Sequence, residues 1–361
     1  MRSTTWYAAC SNEARRYSSQ EGSAIGPDAI EPGVNVTMMG IDVGATTIAG
    51  GLVTGAGDVL EVVQAPTHGG GPGTAVETLF DVIDDLDAKA TARHLPLIGI
   101  GVGVPGVIDP EKGAMAKLPH HPVPEFAEVR LAEQILARTG IQAFVDNDAN
   151  ALALGEWTFG IARGAGSLVL LAIGTNIGGG IIHDGRVVRG HAGFGGEIGH
   201  VTINFDGPRC YCGSKGCLSM YLGGVQMAAE AQRRVDPRQR SAMLTLVGGD
   251  VSAITSKTVF DAARAGDPVA LAMVDEACEA LGASLAGILN GMNPEVLIVT
   301  GGVAQSLVAL ETDILRRVNR SAYTPALSNT RICVVAADKR QTMRGAAALV
   351  LYELGRHGRE A

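Results

Sequence analysis

Short apolar runs broken by glycine turns dominate the chain from Val36 onward. Residues 36–43, 47–54 and 59–65 read as three strands. Between 74 and 93 the spacing changes. Val76, Leu79, Phe80, Ile83 and Leu86 recur at three- and four-residue intervals, which predicts an amphipathic helix. A buried strand is expected at 97–104, a helix at 129–138, a strand ending near Asp146, and a helix from Asp148 to Phe159. A second block repeats the opening: 167–173, 178–183 and 185–188 read as strand, glycine turn, strand, turn, strand. Helices follow at 258–265 and 267–291, then a strand at 296–300, a helix near 304–318, a strand at 331–335 and a last helix at 341–354.

Two blocks with the same opening predict an α/β protein of duplicated architecture, with a ligand cleft between its lobes. The expected division is a smaller lobe of residues 39–146 plus 341–361 and a larger lobe of 147–340. Residues 1–38 show no sustained period and read as a loose extension. Met38 and Met39 stand just before the first strand and form a candidate start of translation.

Glycine is the compositional excess: 49 of 361 residues, about twice the usual share of roughly 7%. That points to tight turns and close backbone approaches. The formal net charge of −8 argues against a broad basic face, and so against a nucleic-acid or anionic-membrane partner. No apolar run has the length of a membrane span, and no charged-then-apolar leader opens the chain, so the expectation is a cytoplasmic protein.

Three glycine turns at strand ends could hold phosphate. The first is Gly40–Thr47, with Asp42, Gly44, Thr46 and Thr47. Here Asp42 either orients a hydrated Mg²⁺ or simply accepts backbone N–H bonds in a hairpin turn. The second contains Gly174 and Thr175 after a buried strand. The third is Val299–Val303, where Gly301 and Gly302 lead into a helix N-terminus. None is a Walker loop.

Cysteines stand at 10, 210, 212, 217, 278 and 333, three of them within eight residues. With His200, the trio Cys210, Cys212 and Cys217 makes a Cys₃His set for a tetrahedral Zn²⁺; the alternative is three free thiols. A saturated set has no open position, so the zinc is expected to be structural. Asp146–Asn150 lies at a strand-to-helix junction, where Asp148 is either a helix cap or a base for a substrate hydroxyl. Asn147 can bind a sugar hydroxyl, and Glu197, after a glycine-rich loop, can reach a ligand. Acids and amides together suit a polyol.

The strings DVGATTIAGGLV (42–53), GVPGVID (103–109), DNDANALALGE (146–156), AIGTNIGGGII (172–182) and GEIGH (196–200), with CYCGSKGC (210–217), resemble the ROK family of repressors, open reading frames and kinases. The likeness runs over about 39–354 and is strongest to bacterial glucokinases. It implies two actin-like (ribonuclease-H-like) lobes closing on a sugar and MgATP, and ATP-dependent phosphorylation of a sugar hydroxyl, glucose to glucose 6-phosphate. By the same resemblance Asp148 is the general base. Asn147, Asp148, Glu197 and His200 bind the sugar, and His200 also binds zinc beside Cys210, Cys212 and Cys217. Asp42, Gly44 and Thr46, then Gly174 and Thr175, hold phosphate. Gly301 and Gly302 face the adenosine, with Thr300 where a third glycine is common. A homodimer or homotetramer is implied.

Two positions depart from the glucokinase pattern. Ser219 replaces a glutamate after the last zinc cysteine, and Lys117-Leu118, followed by His120 and His121, replaces Asn-Leu. They open a second reading, a kinase for a modified hexose such as an aminosugar, or for a cyclitol. A sugar-responsive repressor is the remote alternative. It requires a helix-turn-helix, whereas 1–38 shows no helical period and holds three Arg and no Lys.

Overall fold

The computed structural model describes residues 36–109, 114–117 and 123–360. In chain order, β1 (Thr37–Val43), β2 (Thr47–Thr54) and β3 (Val59–Pro66) precede α1 (Ala75–Ala92) and β4 (Leu97–Val104). A short hairpin, β5 (Ile108–Asp109) and β6 (Ala114–Met115), leads to α2 (Leu131–Thr139), β7 (Ala143–Asn147) and α3 (Asp148–Thr158). The second block opens with β8 (Ser167–Ile173), β9 (Ile177–His183) and β10 (Arg186–Val187). Then come α4 (Ser219–Leu222), α5 (Gly224–Arg234), α6 (Ala242–Leu246), α7 (Ser256–Arg264) and α8 (Pro268–Met292). The chain finishes with β11 (Val296–Thr300), α9 (Ala304–Leu307), α10 (Glu311–Ser321), α11 (Thr324–Ser328), β12 (Arg331–Val334) and α12 (Lys339–Glu360).

Two five-stranded sheets run β3-β2-β1-β4-β7 and β10-β9-β8-β11-β12. In both, three consecutive strands lie side by side and two later strands extend the sheet beyond the first. That is the duplication read from the sequence. The chain divides into two compact units. One holds the residues up to Leu168 with Gly180–Gly195 and those from Asp338; the other holds Val169–Gly179 and Gly196–Ala337.

In the first unit β1 pairs antiparallel with β2 and parallel with β4, and β4 pairs parallel with β7. The register aligns Asp42, Gly103 and Asp146 in one row at the carboxyl ends of these strands. That end of a parallel sheet is where α/β proteins bind ligands. One face of the sheet is covered by α1, whose Leu79, Val82, Ile83 and Leu86 are buried against Ile41, Ile48 and Val102. Helix α12 packs on β1, β4 and α3. Its approach depends on missing side chains: a Cβ on Gly101 would lie 1.8 Å from the Ala346 carbonyl, and one on Gly155 of α3 would lie 2.7 Å from Gly345 Cα. Because α3 is tied to α12, residues 147–168 group with the first unit and not with the second.

In the second unit β11 pairs parallel with β12, and the long helix α8 packs against α7 and α10. Asp267 caps α8, accepting from the N–H groups of Val269 and Ala270. The single helix expected near 304–318 is instead α9, a 3₁₀ turn at 308–310 and α10. Helix α5 was not foreseen, because only Met227 and Ala231 of its eleven residues are buried, too sparse a stripe to read as a period. None of the described helices is long and apolar enough to cross a membrane.

Candidate active site

The first phosphate turn joins β1 to β2. Gly44 N–H donates to the Thr47 carbonyl at 3.0 Å, and a Cβ on Gly44 would meet that oxygen at 2.8 Å. Ala45, Thr46 and Thr47 are exposed at the tip. Thr67, fully buried, pins the turn from below: its hydroxyl donates to the Gly44 carbonyl at 2.7 Å and its N–H to the Thr46 carbonyl at 3.0 Å. Burial pushes the Asp42 carboxyl up to about 6, against a hydrogen bond from the Thr342 side chain that pulls it down. A desolvated carboxylate at a strand end gains from a nearby cation, which fits the expected Mg²⁺. Neither Thr67 nor Thr342 carried a sequence signal.

The second cluster sits where β7 enters α3. Asn147, not Asp148, caps the helix: its Oδ1 accepts from the N–H groups of Ala149 (2.9 Å) and Asn150 (3.2 Å). Its Nδ2 donates to the Gly106 carbonyl at 2.8 Å, leaving one amide hydrogen for a ligand. Asp148 is therefore the first helical residue, half-buried, with Oδ1 accepting from Ala149 N–H at 2.8 Å. Asp146, just before, is 2% exposed and is held by Arg189 and Asn150.

In the second unit two of the glycine turns meet. Val303 N–H donates to the Ile173 carbonyl at 2.9 Å. Gly301, at φ +108°, lies so close that a Cβ would strike that carbonyl at 2.5 Å. The N-terminus of α5 joins them: Gly224 N–H donates to the Gly174 carbonyl (2.9 Å) and Val225 N–H to the Thr175 carbonyl (3.1 Å). Thr175, Asn176 and Gly302 are exposed. Thr300 is 1% exposed, and its hydroxyl has no hydrogen-bond partner.

His200, Cys210, Cys212 and Cys217 converge, with their ligand atoms all within 4.8 Å of one another. Cys212 Sγ and Cys217 Sγ are 3.7 Å apart, and His200 Nδ1 is 3.5 Å from Cys210 Sγ. Zn–S bonds of about 2.3 Å place tetrahedral sulfurs about 3.8 Å apart, so the donor set fits zinc in type, number and spacing. Burial pushes the Cys217 thiol up to about 12 and raises that of Cys210 as well. A dication reverses that, holding thiolates outright. The loop needs its glycines: Gly216, at φ +61°, would clash at 1.7 Å with the Asn204 carbonyl if it carried a Cβ. The other His200 nitrogen, Nε2, is 3.1 Å from the Tyr211 hydroxyl, whose ring meets the imidazole edge-on at 5.0 Å.

Glu197 is exposed and starts the 3₁₀ turn that ends at His200. Ser219 is fully buried, and its hydroxyl donates to the Gly199 carbonyl at 2.9 Å, bracing the peptide just before His200. Lys117 is exposed; Leu118, His120 and His121 lie outside the described residues.

A profile of the ROK family matches residues 38–353. The glucokinase of Thermotoga maritima is 34% identical over 270 residues, 74% of this chain and 83% of that protein. The xylose repressor of Caldicellulosiruptor bescii is 32% identical over 277 residues, 76% and 68% of the two chains. Among solved structures, a ROK family glucokinase from Streptomyces griseus, in complex with glucose and AMPPNP, superposes with a TM-score of 0.66 at 30% identity, covering 89% of this chain and all of that one.

Proposed function

This chain belongs to the ROK family, and on that premise we propose that it is an ATP-dependent sugar kinase that converts glucose to glucose 6-phosphate. The observation that carries the reading is Asp148 at the head of α3, its neighbours fixed on both sides, in a chain 34% identical to a glucokinase. Asp148 takes the proton from the C6 hydroxyl as that oxygen attacks the γ-phosphate. Asn147, Glu197 and His200 orient the sugar. Gly44 and Thr46, with Gly174 and Thr175, hold the phosphates through backbone N–H groups and hydroxyls, and Gly301 and Gly302 flank the adenosine. Asp42 orients Mg²⁺, which when bound neutralises phosphate charge. Zinc on His200, Cys210, Cys212 and Cys217 orders the loop that carries Glu197 and His200. The enzyme is read as cytoplasmic, self-associating as a homodimer or homotetramer, and without a nucleic-acid partner.

A coupled ADP-release assay tests this with MgATP and glucose, mannose, fructose, glucosamine, N-acetylated hexosamines and cyclitols. Glucose turnover well above the rest is the expected result. Strong turnover of an aminosugar or cyclitol with poor use of glucose would replace the substrate while keeping the mechanism. That second reading is favoured by Ser219, which is turned inward onto Gly199 and presents no carboxylate. Absence of sugar-stimulated ADP release, with sugar-sensitive DNA binding, would favour a repressor like the C. bescii relative.

A further inference from the structure

The β7–α3 junction is held from behind by one arginine that no motif contains. Asp146 is buried, and its two oxygens are divided between tasks. Oδ1 accepts from the backbone N–H of Asn147 at 2.7 Å and from Asn150 Nδ2 at 3.0 Å. Oδ2 accepts from Arg189 Nε at 2.8 Å. One carboxylate thus grips the peptide N–H just before Asp148, that of Asn147, and a side chain two residues past Asp148. Arg189 follows β10 and is itself fixed three ways. Its Nη2 donates to Glu353 Oε1 of α12 at 2.6 Å, and its guanidinium lies 5.6 Å from the centre of the Tyr352 ring. Its carbonyl accepts from Gly195 N–H at 2.7 Å, folding the glycine loop back onto it. The Tyr352 hydroxyl in turn accepts from Val187 N–H at 3.0 Å.

We propose that Arg189 is a positioning residue for phosphoryl transfer: by keeping the buried Asp146 paired and aligned, it sets the placement of Asp148. This rests on the reading of Asp148 as the base. A buried carboxylate that loses its cation is strongly disfavoured. Without its guanidinium partner Asp146 turns toward water, which loosens its hold on Asn147 or Asn150. Asp148 lies between those two residues. Displacement of a reacting group by about 1 Å costs on the order of 100-fold in rate. Arg189 touches no substrate in this scheme; it acts only through Asp146.

The test is steady-state kinetics with glucose and MgATP on the wild type, Arg189→Ala, Arg189→Lys, Glu353→Gln and the double variant Arg189→Ala/Asp146→Asn, each with a thermal unfolding curve. Arg189→Ala is expected to lower kcat about 100-fold with the glucose KM within about threefold. Arg189→Lys keeps the charge without the forked geometry and should recover about tenfold of that loss. Glu353→Gln removes only the charge that Arg189 meets on α12, so it should lower Tm and leave kcat within about twofold. The double variant should be no slower than Arg189→Ala alone, because both changes act on one ion pair. An Arg189→Ala enzyme with wild-type kcat, or with KM rising as steeply as kcat falls, overturns the proposal and makes Arg189 an anchor. Should that variant fail to fold, Arg189→Lys decides: reduced kcat at unchanged KM supports the proposal, wild-type kcat overturns it. A wild-type chain without sugar-stimulated ADP release overturns the kinase reading and this proposal together; an active wild type with an unaffected Arg189→Ala overturns this proposal alone.

Discussion

The β7–α3 junction and the 200–217 loop carry comparable densities of polar and ionisable groups but are stabilised differently. At the junction, Asp146 is matched by Arg189 and Asn150, and Asn147 by the helix N-terminus and Gly106, while Asn150 Oδ1 is buried without a partner. In the loop, three thiols and an imidazole face one another, while Phe205, 90% exposed, and Tyr211 and Val201 stand in solvent. The junction pairs its Asp146 charge with a protein cation, Arg189. The loop's donor set fits a cation, and on the proposed zinc reading its folding is coupled to metal binding. A base needs fixed geometry at all times. A loop proposed to order substrate ligands tolerates assembly around an ion.

The largest effect should come from changing the junction's chemistry and not its structure. Asp148→Asn keeps the shape of the side chain and removes its basicity. We expect kcat to fall by roughly three orders of magnitude, within the usual range for a general base, while glucose binding by calorimetry and Tm stay near wild type. Loss of glucose binding with kcat preserved would break the assignment. Zinc removal should act next, on the loop alone. Chelation is expected to raise hydrogen exchange across 197–217, increase the glucose KM and lower Tm, with exchange at 146–150 unchanged. An unchanged KM in demonstrably metal-free protein would erase the contrast between the two regions.

Asp42 lies between these extremes, a half-buried carboxylate for which a cation from outside the chain is proposed. Its carboxyl is raised to about 6 from an ordinary value of 3.8. Between those values the folded chain holds a proton that the unfolded chain has released, so its contribution to stability is present at low pH and is lost as pH rises toward 6. The difference in Tm between wild type and Asp42→Asn should therefore grow against the wild type from pH 4 to 6 and level off above, and millimolar Mg²⁺ at pH 7 should narrow it. A difference independent of pH would show that Asp42 is already compensated.

These contrasts also explain what could be read in advance. The Cys₃His cluster was legible because a Cys-x-Cys-x₄-Cys spacing is local and has few other uses. The Asp-x-Gly-x-Thr turn at the end of β1 was legible for the same reason. Adjacent residues were harder to separate: Asn147 and Asp148 are both good caps, and only the dihedral path of the chain selects Asn147. Thr67 and Arg189 were invisible, because each acts on a segment more than twenty residues away and neither belongs to a spacing pattern. Ser219 was noticed as a substitution, but its inward direction depends on Gly199 having no side chain, a fact of packing.

The smallest expected effect sharpens the idea that the nucleotide-side turns, like the junction, leave few polar atoms unmatched. Thr300 ends β11 just before Gly301 with its hydroxyl buried and unpartnered, as is Gln226 Oε1 on α5. Burying a hydroxyl without a bond costs about 1–3 kcal/mol on mutational scales. Valine fills nearly the same volume and suits a strand, so Thr300→Val should raise stability by about 1 kcal/mol, a Tm gain of about 2–4 °C in a domain of this size. A drop of several degrees instead would mean that the hydroxyl has a partner in solution, such as a bound water. In that case nucleotide binding should weaken in the same variant, because Gly301 and Gly302 follow directly on that residue. A gain in Tm with the KM for ATP unchanged would leave Thr300 as a residue whose hydroxyl serves neither the fold nor the nucleotide.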